Sequence, residues 1–189
     1  MSLHVAVLFL HVVAALVLVG HSLGTPLVLA AIRDAPTTAA LLPWLRFAHH
    51  SARVNPFAAI VLLATGIQLG SGRWDEGWLL VSCALYVVNS ALAVGVVKGT
   101  GQRVAALALA DAGAAVSPAL DTLRRSPRWA LAADALIATG LATLFLMVAQ
   151  PGLLASVAVA VGANAAMLGL RAIQGRRLTA PSPQVSSAA

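Results

Sequence analysis

Five apolar runs, each close to the roughly 20 residues a helix needs to cross a hydrocarbon core, leave this chain few alternatives for its fold. They lie at Leu3 to Ile32, Val54 to Leu69, Trp78 to Val97, Trp129 to Ala149 and Leu153 to Ala172. In lipid every backbone N–H and C=O must be satisfied internally, so runs of this length predict helices. Composition agrees: 60% of the 189 residues are hydrophobic, 10% are charged, and mean hydropathy is +0.90. These values lie outside the range of a soluble domain. The expectation is an all-α, five-span membrane bundle over residues 1–172 and a disordered tail over 173–189, where Pro181, Pro183 and several serines can bury nothing.

The connections sharpen this reading. No Lys or Arg precedes the first run, and its apolar stretch is too long for a signal-peptide core, so it is expected to stay as an anchor. Thr37 to Arg53 continues the second run at helical spacing, which predicts one long helix entering the bilayer from the interface. Ser126 and Pro127 read as N-cap and first turn of the fourth span. Gln150, Pro151 and Gly152 make a tight turn before the fifth. Between Lys98 and Arg128 the sequence predicts two short helices lying along the membrane surface.

Charge gives an orientation. Arg33, Arg46, Arg53, Lys98, Arg103, Arg124, Arg125, Arg128, Arg171, Arg176 and Arg177 all fall on alternate connections, and Arg73 alone falls on the other side. By the positive-inside rule the N-terminus is outside and the C-terminus cytoplasmic, as expected for a multi-pass protein of the inner (cytoplasmic) membrane. Trp44 and Trp129 then mark the inner interface, and Trp74 and Trp78 the outer one. The net charge of +6 follows from topology and gives no reason to expect a nucleic-acid partner. The partners expected are the lipid bilayer with its anionic headgroups, and another membrane protein or a second copy.

Against this background the histidines stand out. His4, His11, His21, His49 and His50 all lie in the first fifty residues, and imidazole in lipid is costly. In an antiparallel hairpin of spans one and two, a rise of about 1.5 Å per residue places His21 at the depth of positions 48 to 53, beside His49 and His50. The same alignment sets His11 opposite apolar positions 58 to 63, with no second histidine, so His11 reads as a hydrogen-bonded packing residue and His4 as a packing or outer-surface residue. Arg46, His49, His50 and Arg53 share one arc of helix two. Gly20 and Gly24 flank His21 in a G-x-x-x-G spacing that allows a helix or a flat ligand to approach.

Two facing imidazoles, glycine on one wall and arginines for propionates are what a b-type haem requires. The candidate cofactor site is therefore His21, His49, His50, Arg46, Arg53, Gly20 and Gly24, with His21, His49 and His50 as the ligands for haem or another metal. Nothing in the chain reads as catalytic. Ser22 and Ser51 lie near histidines without an acid to orient them, and no nucleophile elbow, phosphate loop or zinc-protease motif is present. The single Cys83 offers no pair for a disulfide or zinc site. Asp134, one turn inside Trp129, is placed either to pair with Arg53 or a histidine or to snorkel to the interface, and Gln68, Asn89 and Asn164 are expected to bond between helices. The alternatives to a cofactor protein are a cofactor-free accessory or scaffold subunit of a membrane complex and a small transporter.

Leu10, His11 and the apolar run to Gly20, with Phe145 to Val148 followed by Pro151, resemble an uncharacterised bacterial family of small predicted integral membrane proteins. The opening helix is also similar to copper-resistance D-like membrane proteins, where a Leu-His pair begins an apolar helix that ends in glycine. The resemblance implies a multi-helix bundle with a haem or copper role, and only His11 and Gly20 carry over from its motif.

Overall fold

A computed structural model describes residues 2–111 and 115–179, the last six of them by backbone alone. The helices, in order, are α1 (Leu3–Asp34), α2 (Thr38–Leu69), α3 (Gly77–Ala91), α4 (Gly99–Ala110), α5 (Pro118–Arg124), α6 (Pro127–Ala149) and α7 (Leu153–Thr179). A π-helical stretch, Leu92–Lys98, joins α3 to α4 without a break. Among the described residues no strand forms, apart from one antiparallel bridge between Thr37 and Ala115. Five helical rods are long and apolar enough to cross a membrane.

Local chemistry sets the boundaries. Ser2 and Thr37 cap α1 and α2 by accepting from Val5 N and Ala40 N. Ser126 stands at the N-cap of α6 with Pro127 in its first turn, as the sequence predicts. α6 ends at Gln150, whose φ of 46° lies in the left-handed region that stops a helix. The long α2 also follows expectation, since it starts at Thr38 and carries Pro43 and Pro56 within one rod.

Two expectations change. The first half of the Lys98 to Arg128 connection is no separate surface helix, because α3, the π stretch and α4 form one 34-residue rod from Gly77 to Ala110. Only α5 is short. At the other end α7 runs to Thr179, past Ala172 where the apolar run stops, and residues 180–189 of the expected tail lie outside the described residues.

α6 is the hub, packed against α1, α3 and α7. Its buried positions include Ala130, Ala132, Ala133, Ala138, Gly140 and Ala142, small residues that let neighbouring backbones come close in lipid. α1 and α2 form the antiparallel hairpin. The tightest approach lies elsewhere: a Cβ on Gly77 at the start of α3 would stand 2.5 Å from Leu153 Cα at the start of α7. Only glycine fits there.

The densest apolar core sits at one end of the bundle. Leu29, Ile32 and Ala35, Leu41 and Leu45, Val104 and Ala108, Leu120, Trp129 and Ala133 come from α1, α2, α4, α5 and α6 and close into a cap. Arg124 is buried within this end at 5% exposure. Its guanidinium donates to Ile32 O at 3.1 Å and Ala35 O at 2.7 Å, the carbonyls that end α1, and to Asp121 Oδ1 at 2.8 Å. A cation at a helix C-terminus satisfies both the orphan carbonyls and the dipole. In sequence Arg124 is only one more basic residue on a connection; in the fold it locks α5 to the end of α1.

Candidate functional site

α1 and α2 bring the histidines toward each other with hydroxyls between them. His21 Nδ1 lies 2.8 Å from Ser51 Oγ, so the hairpin register falls within the range expected from helical rise. The partner is Ser51, the residue after His50. His49 and His50 are exposed on α2, with ring centroids 5.9 Å apart and planes at 72°. Arg46 and Arg53 are exposed on the same helix and make no ion pair among the described residues.

His11 is a hydrogen-bonded packing residue, as expected, although its partner lies beyond the apolar positions matched to it. Its Nδ1 is 2.9 Å from Thr65 Oγ1, just past the positions matched to it by simple rise. Thr65 already donates its one hydroxyl proton to Val61 O at 2.6 Å. Gly66 makes space for the ring, because a Cβ there would stand 3.3 Å from His11 Cε1. His4 is exposed near the start of α1.

The glycines flanking His21 do not mediate a helix approach. A Cβ built on Gly20 or Gly24 meets nothing within 4 Å. Both positions leave space beside the histidine, and neither touches α2 closely.

Other polar groups in the membrane-spanning part fasten helices in pairs. Thr139 on α6 donates to Asn89 Oδ1 on α3, and Tyr86 OH donates to Ala59 O on α2 at 3.0 Å. Asp134 pairs with Arg171 of α7, where the sequence suggests Arg53 or a histidine. Asn164 bonds its own helix at Ala160 O, and Gln68 is exposed. Between α1, α2, α3 and α6 a cavity of about 60 Å³ touches Ser22, Tyr86, Asn89 and Thr143. Among the described residues no three His, Cys, Asp or Glu side chains gather as a metal-binding group.

Opposite the cap, Arg73 grips Glu76 at 2.6 and 2.8 Å and reaches Gln150 Oε1 at 3.0 Å. It thereby ties the α2–α3 turn to the α6–α7 turn. Trp78 Nε1 also donates to Glu76, and the guanidinium carbon of Arg73 lies 5.2 Å from the Trp78 ring centroid. Hydrogen bonds from Arg73, and then from Trp78, hold the Glu76 carboxyl below its usual range.

Helical rods of spanning length, joined by short turns and fastened by polar pairs, define a multi-pass integral membrane protein. The chain belongs to the family of predicted integral membrane proteins DUF2269, whose model matches residues 5–151. No curated protein and no solved structure matches it.

Proposed function

We propose that the chain is a cofactor-free accessory or scaffold subunit that works by presenting its helical faces to another membrane protein or a second copy. The observation that carries this reading is that both inward histidines of α1 already bond hydroxyls of α2. Polar groups used in this way hold helices together. The small cavity gives a transported substrate little room. By the positive-inside rule the cap faces the cytoplasm, and the exposed Arg46, His49, His50 and Arg53 then meet anionic headgroups or acidic residues of a neighbour.

A second reading keeps b-type haem or a metal at His21 with His49 or His50. One observation favours it: Ser51, the contact of His21, follows His49 and His50 directly, so the candidate ligands lie within two residues of the hairpin seam. Arg46 and Arg53 would face the propionates, and haem would supply an electron-transfer centre.

One purification separates the two. In mild detergent, after growth with added haem precursor, the accessory reading expects no Soret band and no stoichiometric metal. It also expects one discrete adduct when a photocrosslinker replaces Phe57, which is 74% exposed on α2. A Soret band abolished by His21→Ala would overturn it in favour of the cofactor. A featureless spectrum with no adduct would overturn the partner role.

A further inference from the structure

At the cap end, α4, α5 and the start of α6 surround an open groove of about 920 Å³. Leu107, Pro118, Ala119, Leu123 and Pro127 give it apolar walls, and Arg103 stands among them. Arg103 is exposed and has no ion-pair partner among the described residues. Asp121, the acid on α5, is already shared by Arg124 and Arg125. The groove thus joins one uncompensated positive charge to apolar walls.

Charge and lining together select the occupant. A soluble anion satisfies Arg103 and wastes the apolar walls, whereas a neutral lipid does the reverse. We propose that this groove is a discrete binding site for one anionic glycerophospholipid, with its phosphate at Arg103 and an acyl chain along Leu107 and Leu123. The site is separate from the cationic face of α2, and it holds a lipid as a part of the protein, beyond the general attraction of basic residues to a charged leaflet.

Native mass spectrometry of the full chain in detergent, titrated with phosphatidylglycerol or phosphatidylcholine, tests this. One phosphatidylglycerol should be retained in preference to phosphatidylcholine. Arg103→Gln, at an exposed site, should weaken retention about fivefold, the equivalent of about 1 kcal/mol for one basic residue at an anionic surface. Ala119→Trp, also exposed, should block the groove. Thermal midpoints of the variants check that they are folded. Equal retention of the two lipids, or unchanged retention in both groove variants, would overturn the proposal. So would full displacement by inorganic phosphate, which would mark a site for free anions.

Discussion

The cap and the membrane-spanning part of the bundle are held together by different means. In the cap, large apolar side chains from α1, α2, α4, α5 and α6 bury one another, with Ile32, Leu41, Val104 and Leu120 at 1% exposure or less. Along the spans many large apolar residues are exposed, among them Leu27, Phe57, Val87 and Leu154, because lipid is as good a neighbour for them as protein. Interhelical attachment there rests on small residues and polar pairs: His11 with Thr65, His21 with Ser51, Asn89 with Thr139, Asp134 with Arg171. The hydrophobic effect fastens the end where water competes, and hydrogen bonding fastens the part where it does not.

This contrast can be broken first in the cap. Arg124→Met removes a buried cation and strands Ile32 O and Ala35 O, and should cost about 3 kcal/mol, as loss of one partner from a buried charged network does. Thermal unfolding in detergent should show the loss, and limited proteolysis should cut near α5 first. A variant as stable as the parent would mean that the cap does not depend on this lock.

A weaker effect is expected on the seam. A double-mutant cycle of His21→Ala and Ser51→Ala should give a coupling of about 0.6 kcal/mol, typical of hydrogen bonds between membrane helices. A coupling as large as the Arg124 effect would erase the distinction between the two regions.

The smallest effect belongs to the end opposite the cap. Because Glu76 is held below its ordinary range by Arg73 and Trp78, its contribution is complete above the unfolded carboxylate value of about 4.3 and disappears as pH falls through the lowered folded value. The parent should therefore lose its advantage over Glu76→Gln only in acid. A gap in melting temperature that stays constant from about pH 6 to pH 3 would contradict this assignment.

Much of the fold was legible because lipid imposes simple rules. The lengths of the apolar runs located five spans, and Ser126, Pro127 and Gln150 marked helix ends. The hairpin register followed from helical rise closely enough to place His21 beside Ser51. The partner of His11 was missed because Thr65 reads as a tolerated polar residue in an apolar run, and simple rise stopped just short of it. Arg124 and Arg171 were counted as charges on a connection, although one caps α1 and the other reaches Asp134 across α6 and α7. Such pairings depend on how helices rotate about their axes, and hydropathy carries no record of that. Gly20 and Gly24 illustrate the same gap, since the familiar spacing is present while the close approach occurs at Gly77.

The widened turns at Leu92–Lys98 make the third rod into two differently phased halves. Below them α3 is seated on α6 and α7; above them α4 turns toward α2 and α5 and sends Val104 and Ala108 into the cap. One rod thus acts as a phase shifter between a lipid-solvated assembly and a water-excluding lid. Restoring ordinary helical pitch there would leave both halves helical and rotate one of them out of mesh with its neighbours.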